Sequence, residues 1–213
     1  MNDPDIRALL YPLLVGGVYV DELPTGTTRA DVVHITEQFM HGYEVKGDND
    51  TLLRVPRQLP CYCGAYDFVT FVVTEKHVPK LLPLLPEWVG VTVAGAGRLH
   101  ELRPARYNAT VERAAVAGLL LLEEVKQYLL ACGLAGVSTL RRREVLHFLR
   151  HTQLVPLSGL AQYVRAQLTA RLPQRLAARA ERKAERQSRP PRRAPRKKRP
   201  SKKKRSLSAK KTG

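Results

Sequence analysis

Two acidic residues interrupt runs that otherwise read as β-strands, Arg29-Ala30-Asp31-Val32-Val33-His34-Ile35 and Phe39-Met40-His41-Gly42-Tyr43-Glu44-Val45-Lys46. A hairpin turning at Glu37-Gln38 pairs residues whose numbers sum to 75, which sets Asp31 opposite Glu44. Opposed carboxylates in a sheet repel each other. A divalent cation bound through oxygen ligands relieves that repulsion. Residues two apart in a strand share a face, so Lys46 stands beside Glu44. A carboxylate pair with an adjacent ammonium suits phosphodiester hydrolysis. Mg²⁺ (or Mn²⁺) on Asp31, Glu44 and the Val45 carbonyl would polarise the phosphate and acidify a bound water, with Lys46 at that water. The spacing alone is a weak signal, because 26% of the residues are charged.

The same residues carry a resemblance. Asp31 followed by Glu44-Val45-Lys46 is similar to the D…(D/E)-x-K signature of the PD-(D/E)XK nuclease superfamily, and Gln58-Leu59-Pro60-Cys61-Tyr62 resembles the Q-x-x-x-Y element of its RecB-like and Cas4-like branch. Arg29-Ala30-Asp31-Val32, Gly42 to Lys46, Asp50-Thr51-Leu52 with Arg54, Gln58, and Leu85-Pro86-Glu87-Trp88 with Gly90 more closely resemble an uncharacterised bacterial and phage family related to MmcB-like repair proteins. The resemblance covers residues 1 to about 95. It implies a restriction-endonuclease-like αβββαβ core. It also implies metal carboxylates at Asp31 and Glu44, a catalytic Lys46, and Gln58 and Tyr62 steadying the site or meeting the nucleic acid. Glu22 is a candidate further carboxylate or an exposed turn acid. The implied activity is metal-dependent hydrolysis of DNA in repair, recombination or a phage or defence context. The alternatives are a non-catalytic nucleic-acid-binding accessory protein retaining the nuclease-like fold, and a basic phage or nucleoid protein. A homodimer is open, as nucleases of this fold often pair.

The elements that must position these residues follow from pattern. Asn2-Asp3-Pro4-Asp5 caps a first helix with Ile6, Leu9, Leu10, Leu13 and Leu14 on its apolar side. Strands over 18–23, 29–35 and 39–46 form a meander. Asp48-Asn49-Asp50 is expected to cap a short helix carrying Arg54, Gln58 and Tyr62, which Pro60 should kink. Phe68 to Val73 reads as a buried strand, His77 to Leu85 as short helical pieces, and Gly90 to Ala94 as a last strand ended by Gly95-Ala96-Gly97. Beyond it, a helical accessory region over 98–186 holds a helix from Thr110 to Ala131, one starting at Ser138-Thr139 and one from Ser158. Arg141-Arg142-Arg143 opens the middle helix, where cations oppose the helix dipole unless phosphates approach. The other reading is a solvated arginine edge. His34 and His41 fall opposite each other on the face away from Glu44 and read as core-edge residues, and His147 and His151 as surface side chains.

The chain's 213 residues fit one compact domain, residues 1–97, plus appendages. Its net charge of +17 is unevenly placed. From Arg171 onward there are 19 Lys and Arg against two acids, and the rest balances at 17 against 17. A disordered tail over 187–213, with Arg192, Arg193, Lys197, Lys198, Arg199, Lys202, Lys203, Lys204 and Arg205, is expected to bind nucleic acid without sequence preference, DNA ahead of RNA. Three cysteines, Cys61, Cys63 and Cys132, cannot supply the four-cysteine iron-sulfur cluster of Cas4-like proteins. Odd cysteine usage and the lack of a secretory signal suggest a cytoplasmic, nucleoid-associated protein with no membrane segment.

Overall fold

The computed structural model describes residues 1–188, and the chain divides into two compact units, Met1–Arg175 and one beginning at Leu176. The first unit is mixed α/β, built on a six-stranded sheet in sequential order. Helix α1 (Asp3–Leu10) starts at a capping box in which Asn2 and Asp5 exchange hydrogen bonds, and Pro12 tightens its end into a 3₁₀ turn. Strands β1 (Val18–Thr25), β2 (Thr28–Ile35) and β3 (Met40–Lys46) form the expected antiparallel meander. The β2–β3 pairs Val32–Tyr43, Val33–Gly42 and His34–His41 keep the sum of 75. Helix α2 (Val55–Ala65) crosses over to β4 (Phe68–Thr74), which runs parallel to β3. Short helical turns including α3 (Val78–Leu81) lead to β5 (Gly90–Gly95), parallel to β4. Val69 to Val73 are buried without interruption, as a strand covered on both faces requires.

The sheet does not end at β5. Gly95-Ala96-Gly97 is the turn into β6 (Arg98–Arg103), which pairs antiparallel with β5, so the expected domain boundary after residue 97 falls inside a hairpin. The expected helix from Thr110 to Ala131 is two, α4 (Arg113–Ala117) and α5 (Leu122–Ala131). Cys132-Gly133 stops the second as expected, with Gly133 at φ +81°. The Ser138-Thr139 segment is a 3₁₀ turn, and the next helix, α6 (Arg142–His151), begins after Arg141. It is followed by α7 (Leu157–Ala170) and α8 (Leu172–Ser188).

Two apolar clusters lie on the two sides of the sheet. The smaller joins Ile6, Leu10 and Leu14 to Val32, Val45, Val72 and Ala94. The larger joins Val33, Met40 and Phe71 to α2 and also to Val116, Leu129, Leu149, Leu160 and Leu168. The helices α4 to α7 therefore complete the sheet's own core instead of forming a separate layer, because their apolar stripes have no other surface to bury against. No helix among the described residues is long and apolar enough to cross a membrane.

Candidate functional site

The β1–β2 hairpin breaks its alternation at one point. Asp21 pairs with Val32 and Leu23 with Ala30, which leaves Glu22 and Asp31 facing each other unpaired, with Glu22 in the left-handed region at φ 56°. Val20 and Val33 lie in the larger cluster, and so do Leu23 and Ala30 three positions on. Strict alternation would have sent that second pair to the other face. The kink folds the hairpin tip over α2. There the Thr25 and Tyr66 hydroxyls bond each other, and a Cβ on Gly26 would come within 2.9 Å of Cys61 Sγ. A left-handed non-glycine residue costs about 1–3 kcal/mol. Charge offsets it: the Glu22 carboxylate pairs with Arg7 at 3.0 Å and Arg29 at 2.5 Å, and Arg175 donates to the Asp21 and Glu22 carbonyls at 3.2 and 3.4 Å.

Glu44 and Lys46 point to the α2 side and are 1% and 2% exposed. Gly42, two residues before Glu44 on that face, admits the Tyr66 ring; a Cβ there would meet it at 2.5 Å. Lys46 Nζ and Gln58 Nε2 both donate to Glu44 Oε1 at 2.6 Å. The Tyr62 hydroxyl has one proton for two acceptors, Glu44 Oε2 at 2.6 Å and the Arg29 carbonyl at 2.9 Å. Burial and then the charge of Glu44 hold that phenol far above its ordinary pKa, so it stays a donor. Gln58 and Tyr62 can converge because α2 runs unbroken through Pro60: Pro56 and Pro60, whose hydrogen bond is the one forfeited, both lie on its exposed side. The helix lacks the expected Asp48–Asp50 cap. Arg54 occupies its N-cap without a side-chain bond, and Asp50 accepts from the Gly47 N–H at 2.8 Å instead.

Asp31 closes the other side. Its Oδ2 accepts the Val45 N–H at 2.8 Å, and its Oδ1 pairs with Arg7 at 3.1 Å. Arg7 Nη1 also donates to the Asp31 carbonyl at 2.7 Å, tying α1 to the kink. Burial, then the charge of Glu44, pushes the Asp31 carboxyl up to about 7, against the opposing pull of the Val45 N–H, Arg7 and Lys46. Burial works to lower the Arg7 pKa, but Asp3, Asp31 and Glu22 raise it further, so the guanidinium remains charged.

Asp31, Glu44, Lys46 and Gln58, with the Val45 segment, line one cavity of about 510 Å³, with Arg29, Arg54 and Arg57 around it. The Val45 side chain packs in the smaller cluster on the other side of the sheet, so it is the main chain that faces the cavity. Glu22 does not line it; its two oxygens are taken by Arg7 and Arg29, and it is not placed as a metal ligand. Among the described residues no three His, Cys, Asp or Glu side chains gather as a ligand group, so the donors are two carboxylates plus main chain. That set still fits Mg²⁺, which keeps several waters and needs one or two carboxylates. A carboxylate accepts about four hydrogen bonds, and Asp31 and Glu44 each retain unused acceptor positions.

Reasoning from sequence did not find Arg7, Arg29 or Arg57. Arg7 is also the i, i+4 partner of Asp3. Arg57 was legible in principle, since 54, 57, 58 and 62 share one helical face.

The other candidate contacts are dispersed. Arg142 donates to the Leu120 and Gly118 carbonyls at 2.9 and 2.6 Å, which closes the chain between α4 and α5 and engages this guanidinium structurally. Arg141 and Arg143 are exposed. His41 bonds Thr70 and Tyr43 on the face away from Glu44, and burial, then His34, lowers its pKa to about 3. Arg192, Arg193, Lys197, Lys198, Arg199, Lys202, Lys203, Lys204 and Arg205 lie outside the described residues.

Residues 16–191 match the family described as bacteriophage P4 protein cII. The chain belongs to that family. No curated protein matches this cII-family chain. Among solved structures it is similar to a protein of unknown function from Silicibacter pomeroyi, 19% identical over 54% of this chain and 76% of that one, with a TM-score of 0.41.

Proposed function

We propose that this cII-family protein is a metal-dependent nuclease of the PD-(D/E)XK type, with a restriction-endonuclease-like core in its α1-β1-β2-β3-α2-β4 segment, acting on DNA. The observation that carries the reading is the convergence on one buried carboxylate. Glu44 accepts from Lys46, Gln58 and Tyr62 at 2.6 Å each, across two elements, with Asp31 in the same cavity. A purely structural interior rarely keeps so many polar groups buried together, since each must be paired to avoid a desolvation cost of about 1–3 kcal/mol.

Asp31, Glu44 and the Val45 main chain would hold Mg²⁺ or Mn²⁺. Bound there, the cation supplies charge for the phosphate oxygens and an acidified water. The protein's own groups do the rest. Lys46 holds Glu44 Oε1 with one N–H and has two more to offer to the attacking water or the phosphate. Gln58 Nε2 is committed to Glu44 Oε1, so the amide fixes that carboxylate beside Lys46, and its own Oε1 is buried without a partner among the described residues. Tyr62, kept protonated, fixes the Glu44 carboxylate from the far side. The Lys- and Arg-rich segment 187–213 would hold the protein on the polyanion by phosphate neutralisation.

The test is cleavage of single-stranded and duplex DNA, and of RNA, by the full chain with Mg²⁺ or Mn²⁺, beside Glu44→Gln and Asp31→Asn. The proposal expects metal-dependent cleavage that falls at least about a hundredfold in each variant, the scale of losing a positioned catalytic group. Cleavage unchanged in both variants, or none by a folded wild-type chain on any of the substrates, refutes it.

A further inference from the structure

Two cations of the cavity form no ion pair with any described residue. Arg54 and Arg57 line it from the first turn of α2, are exposed, and make no ion pair or side-chain hydrogen bond among the described residues. The other cations lining the cavity are committed, Arg29 to Glu22 and Lys46 to Glu44. Of the nearby acids, Asp3 is engaged by Arg7, and Asp50 accepts from the Gly47 N–H and makes no ion pair with either arginine. Residues i and i+3 on a helix are neighbours, about 5–6 Å apart at Cβ. The two side chains thus start as neighbours, within reach of one anion. Gln58, one residue on, is 5% exposed, lines the same cavity, and carries a buried Oε1 without a partner among the described residues.

The helical face is therefore graded: two unpaired donors at 54 and 57, an orphan acceptor at 58, and the Tyr62 phenol against Glu44 at 62. Donor forks of this kind match phosphate oxygens bidentately, whereas a buried amide oxygen repels them and takes a proton donor. We infer that Arg54 and Arg57 form an anion subsite that grips a phosphate group of a polynucleotide beside the scissile bond. The identity of the anion as a nucleic-acid phosphate rests on the nuclease reading of this cavity; the existence of the subsite does not.

The full chain is titrated calorimetrically, without metal, with thymidine 3′,5′-bisphosphate. The comparison set is the double variant Arg54→Ala/Arg57→Ala, the charge-retaining Arg54→Lys/Arg57→Lys, and Arg98→Ala/Arg106→Ala, which removes the same charge from exposed positions elsewhere. The subsite predicts binding that weakens at least about tenfold in the alanine pair, recovers only partly in the lysine pair because the fork is lost, and is unchanged in the control. A wild-type chain that does not bind the bisphosphate, or a loss shared equally by the control, overturns the subsite. If the full chain also cleaves DNA, KM should rise in the alanine pair with kcat nearly unchanged. An unchanged KM sinks the subsite and leaves hydrolysis standing. Arginine-dependent binding by a chain that cleaves nothing keeps the subsite and sinks hydrolysis.

Discussion

The α2 side of the sheet and the helical region from α4 to α7 both concentrate charge, yet they use it in opposite ways. Around Glu44 the charged and polar groups are buried, bonded to one another, and supplied by residues 14 and 18 positions apart in sequence. In the helical region the interior is apolar, with Val116, Leu129, Leu149 and Leu160 inside, and the arginines are exposed or engaged at carbonyls, as Arg142 is. Surface charge needs no explanation beyond solvation. Buried charge does, because it could be exchanged for apolar packing without loss of stability.

The contrast can be broken by substitution. The largest effect is expected at Glu44→Ala, which leaves Lys46 buried and unpaired and should cost about 3–5 kcal/mol in urea unfolding. Arg143→Ala, its counterpart in the helical region, should stay within about 0.5 kcal/mol. Equal effects would remove the distinction. For that reason the cleavage test uses Glu44→Gln, which keeps the volume and most of the hydrogen bonds.

Next comes Tyr62→Phe, which strips Glu44 Oε2 and the Arg29 carbonyl of their shared donor and should cost about 1–3 kcal/mol. Arg142→Ala should cost less, about 1 kcal/mol for its bonds to two carbonyls, and should leave metal dependence untouched.

A separate effect, read against pH and not by truncation, concerns Asp31. An Asp31 carboxyl pushed up to about 7 keeps its proton in the folded state while the unfolded chain releases it near 4, so metal-free stability should fall as pH rises between those values. Below that window both states are protonated and the contribution is fully present; above it, it is lost. In Asp31→Asn this part of the slope should vanish, as read from Tm against pH in EDTA. A slope identical to wild type would mean that Asp31 titrates normally.

How legible all this was depended on range. The β2–β3 register, through Val32–Tyr43, followed from side-chain period and a turn position, and Gln58 and Tyr62 followed from a motif whose spacing is one helical turn. Arg7 was not legible, because its reach to Asp31 depends on how α1 lies at the kinked hairpin and no local pattern encodes that. β6 was missed because Arg98-Leu99-His100-Glu101-Leu102-Arg103 is polar and mostly exposed, an edge strand with little apolar alternation to betray it. The expected break at residue 97 failed with it. Glu22 read equally as a further ligand or a turn acid, and the left-handed turn delivers its carboxylate to two arginines.

The central claim is that Asp31 and Glu44 are kept together for a divalent cation. Titrating the full chain with Mn²⁺ and counting bound ions by electron paramagnetic resonance tests it most directly. The account predicts a site in the wild-type chain that disappears in Asp31→Asn while the fold, read by circular dichroism, is retained. Binding of the same stoichiometry and affinity in both proteins would contradict it.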